Sequence, residues 1–341
     1  MFILTKLRLE NITKKFGSNH VLHDVSIDIS EGEFVSVLGP SGCGKTTLLK
    51  IISGLEMPCT GGIFIGGNCC KNIPAKNRGA VIVFQDYGLF PHMTVEANIE
   101  FGLVARKEKR TERMKKVAKM LEIMQIADKA KSLPHQLSGG QKQRVALARA
   151  CVLQPNILLL DEPFSNLDTA LKDSMRGFVQ EMQRKLGITT ILVTHDKEEA
   201  FMLSSRVAVL LDGHIQQFDT PKQIYASPKT KKIADFIGEA NYIDGTVKNG
   251  IFTCIFGNFP TEKSEGQLML RYSQLSLNQD DGVPCKIIEK SFKGHTTTYT
   301  VELYSHGQIQ LKVNSPNNTL SIDDHACVTT LIKNPYIVIC D

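Results

Sequence analysis

The 341-residue sequence predicts an α/β core that carries a helical insert and is followed by a small all-β domain. Three observations lead there. Short apolar runs bounded by polar residues alternate with helix-like stretches as far as about residue 235. Between Pro91 and His135 the pattern is helical only. After Gly238 the runs become short, β-rich and punctuated by turn residues.

The core strands read in order. Phe34-Val35-Ser36-Val37-Leu38, Val81-Ile82-Val83-Phe84, Ile157-Leu158-Leu159-Leu160 and Ile191-Leu192-Val193 are continuous apolar runs, the signature of strands covered on both faces. The spacing predicts a helix from about Lys45 that stops at Gly54. From Arg113 to Gln125, Val117, Met120, Leu121 and Met124 form a helical stripe. The all-β reading of the tail rests on Asn249-Gly250, Asp281-Gly282, His306-Gly307 and Pro316-Asn317-Asn318 as turns. The expected division is 1–238 and 239–341, with the helical insert at about 87–137.

Bulk composition excludes several classes. With 42% hydrophobic and 22% charged residues, disorder and coiled coil are set aside. No apolar run reaches the roughly 18 residues needed to span a bilayer. Met1–Lys6 lacks the basic-then-apolar layout of a signal peptide, so a cytoplasmic protein is expected. The nine cysteines lack paired spacing and read as free thiols. The net charge of +5 is uneven: residues 240–341 carry 8 Lys+Arg against 10 Asp+Glu. Much of the surplus sits in one run, Arg106 to Lys119, and reads as a solvated helical face.

The chemistry begins at Gly39-Pro40-Ser41-Gly42-Cys43-Gly44-Lys45-Thr46, which fits G-x-x-x-x-G-K-[ST] between a strand and a helix. Backbone N–H groups there converge on phosphate oxygens, and the helix start adds positive potential. Lys45 is expected to bridge the β- and γ-phosphates and Thr46 to ligate Mg²⁺. The strand Ile157–Leu160 delivers Asp161 beside that Mg²⁺, and Glu162 is placed to polarise an attacking water. Leu137-Ser138-Gly139-Gly140-Gln141 opens a second helix, with Ser138 as N-cap and Val145, Ala148 and Val152 as its apolar stripe. The chain thus holds two phosphate-reading helix starts where a single nucleotide needs one. Cys43 lies beside positive charge and a helix start, which favours the thiolate, so alkylation is expected to inactivate the protein and ATP to protect it.

With these motifs in order, the sequence resembles the nucleotide-binding subunit of ABC transporters from about Leu7 to Glu239. Gln85 after a strand resembles the Q-loop, Ser138 to Gln141 the signature, and Asp161-Glu162 the Walker B pair. Ser165-Asn166-Leu167-Asp168 is similar to the D-loop, and His195 in Val193-Thr194-His195-Asp196 to the switch histidine.

The resemblance implies a P-loop NTPase fold and a head-to-tail dimer, either of this chain or with a close paralogue. Each ATP then lies between the phosphate loop of one subunit, with Phe16 stacked on adenine and Thr47 beside Thr46, and Ser138, Gly139, Gly140, Gln141 and Asp168 of the other. His195 is implied to contact the γ-phosphate. Gln85 is implied to link Mg²⁺ and the water to a membrane partner. Phe16 stands where tyrosine is common; stacking needs only a π face.

The tail resembles the small OB-like (TOBE) domain of importer ATPases of the sugar, polyamine, sulfate and ferric-iron group. Arg271-Tyr272-Ser273 replaces the Arg-Pro-Glu often found there, which points to dimer contact and packing rather than regulatory binding. The implied protein is a peripheral ATPase on the cytoplasmic face of the membrane. Its implied partners are two permease subunits and a solute-binding protein. A nucleic-acid role is disfavoured by the single cassette, the lack of a long coiled-coil insert and the net negative tail. An exporter motor is disfavoured by the separate tail and the lack of a fused membrane domain. Tyr87–Val95 and Phe236–Tyr242 resemble ferric-iron, polyamine and aminoethylphosphonate importer ATPases, with ferric iron ranked first as cargo.

Overall fold

A computed structural model describes residues 5–304, 309–316, 319–332 and 335–338. Met1–Leu4, the expected turn His306-Gly307, Asn317-Asn318 of the next turn, and Cys340 lie outside the described residues. The other eight cysteines are free. No helix among the described residues is long and apolar enough to cross a membrane.

The chain divides into two compact units, residues 1–221 and 222–341. The first opens with a hairpin of two long strands, β1 (Thr5–Phe16) and β2 (Asn19–Ser30). β3 (Phe34–Leu38) follows, then α1 (Lys45–Ser53), β4 (Thr60–Ile65), β5 (Asn68–Cys69) and β6 (Ala80–Val83). The insert contains α2 (Val95–Ala105) and α3 (Arg110–Ile123). The core resumes with α4 (Gly139–Cys151), β7 (Ile157–Asp161), α5 (Thr169–Leu186), β8 (Thr189–Thr194), α6 (Lys197–Leu203), β9 (Arg206–Leu211) and β10 (His214–Asp219).

Two sheets result. The six-stranded one has the order β10-β9-β3-β8-β7-β6, parallel except at the β9–β10 edge. Every residue of β3, β7 and β8 is buried, as their continuous apolar runs require. Three of the four predicted strands, β3, β7 and β8, therefore fall inside this sheet, and the fourth, β6, forms one edge. The antiparallel sheet β2-β1-β4-β5 is additional to the elements expected from sequence. Its strands alternate instead, with Leu7, Leu9, Val25, Ile27 and Ile29 turned into the core that Val35 and Val37 also enter. In α3, Val117, Met120 and Leu121 of the expected stripe are buried, and Met124, its last member and the residue after the helix end, is fully buried.

The second unit begins earlier than Gly238. It includes α7 (Pro221–Ala226, from its second residue) and α8 (Lys231–Ile237) as well as the β-rich tail. The reason is local. The buried Arg271 guanidinium donates to the carbonyls of Ala234, Gly238 and Tyr225 and stacks on the Tyr225 ring at 4.7 Å, tying both helices to the strand Gln267–Arg271. Arg271, the one residue of the usual Arg-Pro-Glu kept here, is thus a packing residue. The rest is all-β, with two three-stranded sheets and a five-stranded antiparallel sheet around Phe252, Leu268, Leu270, Tyr299 and Val301.

Candidate active site

The phosphate loop joins β3 to α1. At its close, Gly44 has φ 105, a conformation open to glycine, and a Cβ there would meet the Val21 carbonyl oxygen at 2.9 Å. At its start, a Cβ on Gly39 would lie 2.3 Å from the Leu210 carbonyl oxygen. No side chain caps α1 and no acid sits in its first turn. By contrast, α2, α4, α5 and α6 are capped by Thr94, Ser138, Asp168 and Asp196. The start of α1 therefore keeps its unpaired N–H groups and its positive end, which suits an anion.

Five side chains, from α1 and from the ends of β7 and β8, converge here. Lys45, buried, donates to the carbonyls of Gly39 and Pro40 at 2.9 and 2.8 Å, and its Nζ lies 3.8 Å from Glu162 Oε1. Thr46 Oγ1 donates to Asp161 Oδ1 at 3.0 Å. Burial pushes the Asp161 carboxyl above its ordinary range, and neighbouring Glu162 adds to the rise, against the pull of the Thr46 hydrogen bond and Lys45. Glu162 follows β7 with φ 45, a left-handed backbone for a non-glycine residue, held where its N–H donates to the Val193 carbonyl at 2.9 Å. Its Oε2 lies 3.1 Å from Nδ1 of His195, the residue after β8.

Gln85 is exposed and lines an open cleft with Asp86, Asp161 and Asn166, and its carbonyl accepts from Asn166 Nδ2 at 2.9 Å. Ser41 and Gly42 are exposed, and Thr47 is half-buried. Cys43 corrects the sequence expectation. Burial raises its thiol above the ordinary range and outweighs Lys45, so the thiolate is disfavoured.

Ser138 and Gln141 form a reciprocal capping box. A Cβ on Gly139 would press on Leu167 at 3.1 Å, and one on Gly140 on Leu171 at 3.2 Å. Asp168 caps α5 by accepting from the Leu171 N–H. Among the described residues no hydrogen bond or ion pair joins Ser138–Gln141 or Asp168 to Lys45 or Glu162. One chain thus brings together the phosphate loop, Asp161, Glu162 and His195, and leaves the second helix start apart.

Phe16 is half exposed, with the Lys14 ammonium 4.8 Å from its ring centroid. Lys14 is held by Glu56 at 2.6 Å and the Met57 carbonyl at 2.7 Å. The sequence reading missed Lys14, whose partner is distant in sequence. It also missed Arg176, whose buried guanidinium reaches Asp196 at 3.1 Å, next to His195.

Thr46 and Asp161 offer hard oxygens 3.0 Å apart, a donor set that fits Mg²⁺. Among the described residues no group of three or more His, Cys, Asp or Glu forms a metal site, so such a cation needs further oxygens from a nucleotide.

Residues 22–165 match the family model described as ABC transporter. The spermidine/putrescine import ATP-binding protein of Marinobacter nauticus is 43% identical over 88% of this chain and 85% of its own. The Fe(3+) ions import ATP-binding protein of Fusobacterium nucleatum is 39% identical over 89% and 85%. The sulfate/thiosulfate import ATP-binding protein of Escherichia coli K12 is 42% identical over 87% and 85%. This chain is an ATP-binding subunit of the ABC transporter family. Its cassette is also similar to an ATP-binding cassette solved as a dimer in a post-hydrolysis state with ADP and Pi. That match has a TM-score of 0.56 and 34% identity, and covers 63% of this chain and 98% of the other. The cassette is an ABC ATPase, and the residues gathered around Glu162 are its candidate catalytic set.

Proposed function

We propose that this chain is the ATP-hydrolysing motor of an ABC importer, acting as a homodimer on the cytoplasmic face of the membrane against two permease subunits. A solute-binding protein completes the transporter. The observation that carries the reading is the convergence of Lys45, Thr46, Asp161, Glu162 and His195 at an uncapped helix start. Import is supported by the names of the three relatives.

In this reading Lys45 leaves the Gly39 and Pro40 carbonyls for the β- and γ-phosphates. Thr46 and Asp161 would hold Mg²⁺, which would supply charge neutralisation on the phosphates. Glu162 polarises the attacking water, and His195, bonded to it, contacts the γ-phosphate. Phe16 stacks on adenine. Ser138, Gly139, Gly140, Gln141 and Asp168 serve the partner copy's ATP, which gives the isolated second helix start a task. Gln85 and the insert face the permease. Closure of two cassettes on two ATP, and reopening after hydrolysis, moves the permeases.

Phosphate release from Mg²⁺-ATP tests the reading. Wild type turns over, and Lys45→Ala abolishes productive binding. Turnover undiminished in Lys45→Ala overturns it.

Cargo is read by partner subunits. The three relatives are named for polyamine, ferric iron and sulfate/thiosulfate within a narrow span of identity, so identity does not rank them. Ferric iron is proposed first on the Tyr87–Val95 resemblance, then polyamine. Uptake of radiolabelled ferric iron and spermidine with and without this gene decides. Unchanged uptake of both removes both cargos and leaves the motor assignment intact.

A further inference from the structure

We propose that the first unit carries a second ligand site, remote from ATP, for an amphipathic monoanion: an apolar body bearing one carboxylate or sulfonate. The site is a cavity of about 350 Å³ between α3, the end of α4 and the turn from α5 into β8. Its volume falls in the range that encloses small organic ligands. Met120, Ile123, Val152, Leu186 and Ile188 form an apolar patch on its wall, and Gln154, Asn156 and Thr189 make the rest polar. Cys151 adds to the wall as a neutral thiol, because full burial pushes its pKa up to about 12.

Charge at the cavity is one-sided. Lys6, Lys116 and Lys119 line it against one acid, Glu31. Lys6 pairs with Glu31 at 2.7 Å, and Lys116 with Glu108 at 2.7 Å. Lys119, exposed, has no ion pair among the described residues, so one cation is left for a ligand. An apolar patch beside one uncommitted ammonium favours an apolar body with a single negative charge. A neutral body gains only the wall, and a dianion brings a second charge without a free partner.

The cavity touches Asn156 and Thr189, at the starting ends of β7 and β8. Asp161 and His195 stand at or just beyond the far ends of those strands, roughly 17 Å away at about 3.3 Å per residue. An occupant therefore does not compete with ATP for space.

The test uses the full chain and two dyes that share one body. 1-Anilinonaphthalene-8-sulfonate carries the sulfonate, and N-phenyl-1-naphthylamine lacks it. Calorimetry and fluorescence titration of the anionic dye should show one site per chain, retained with saturating Mg²⁺-ATP. Lys119→Glu should weaken it at least tenfold, Ile123→Trp should block it, and neither should change ATP hydrolysis. The neutral dye should bind at least tenfold more weakly and ignore Lys119→Glu. Anionic binding that is indifferent to both substitutions, displaced by ATP, or matched by the neutral dye overturns the proposal. If Ile123→Trp does not fold, Lys119→Glu and the neutral dye decide by themselves.

Discussion

Glu162 Oε2 and His195 Nδ1 stand 3.1 Å apart, so the residues following two adjacent parallel strands meet at one point. The backbone of Glu162 reaches that point through a left-handed φ of 45. A hydrogen bond of this kind holds a carboxylate for work on water and a histidine for work on phosphate. His195→Ala should lower kcat for ATP by about 100-fold or more while leaving nucleotide affinity within about threefold. Steady-state phosphate release alongside equilibrium nucleotide binding checks both halves; an unchanged kcat contradicts the assignment.

Lys14 sits against the Phe16 ring and is tethered by Glu56. A cation under one face of an aromatic ring steadies the ring for stacking on the other. Lys14→Met should raise KM for ATP about 2- to 10-fold with kcat nearly unchanged, since cation–π contacts contribute roughly 0.5–2 kcal/mol. Glu56→Gln should move KM the same way by less. Binding of inorganic triphosphate, which has no base, should respond to neither.

Cys43 tests the effect of burial on reactivity. Its thiol is raised above the ordinary range, so little thiolate exists at pH 7. Iodoacetamide at pH 7 should label the exposed Cys59 and Cys69 before Cys43, with activity largely retained. As pH rises toward the raised pKa, the thiolate fraction grows, and Cys43 labelling and inactivation should accelerate together. Peptide mass spectrometry against residual activity reads this out; rapid, selective Cys43 labelling at pH 7 contradicts it.

Arg176 is buried and faces Asp173, Asp196, Glu198 and Glu199 at 3.0 to 3.8 Å. Glu199 is itself buried, and burial raises its carboxyl despite a 2.6 Å hydrogen bond from Thr194. Removing the guanidinium leaves buried Glu199 and half-buried Asp196 without their cation. Arg176→Met should destabilise the cassette by about 3–5 kcal/mol, seen as a lower urea midpoint. A loss below about 1 kcal/mol would show the cluster to be solvated in solution.

The sequence made the phosphate loop legible because its chemistry is contiguous: Gly39 to Thr46 fixes a turn, a helix start and a lysine within eight residues. The central strands were equally legible, since continuous burial leaves continuous apolar runs. The β1–β2 hairpin escaped notice because its apolar residues alternate over a half-polar run, a weaker signal. Three features depend on pairs far apart in sequence. Lys14 meets Glu56, Arg176 meets Asp196, and Arg271 reaches back to Ala234 and Tyr225 to move the unit boundary ahead of Gly238. Cys43 misled because proximity to Lys45 can be read from sequence, whereas desolvation cannot.

The proposed ATPase shares its sites between two copies and activates its water through Glu162. Glu162→Gln, incubated with Mg²⁺-ATP and passed through size exclusion with light scattering and nucleotide quantification, tests it most directly. The expected result is a dimer holding two intact ATP molecules and hydrolysing them at least about 100-fold more slowly than wild type. A monomer at saturating ATP, or hydrolysis at the wild-type rate, would contradict it.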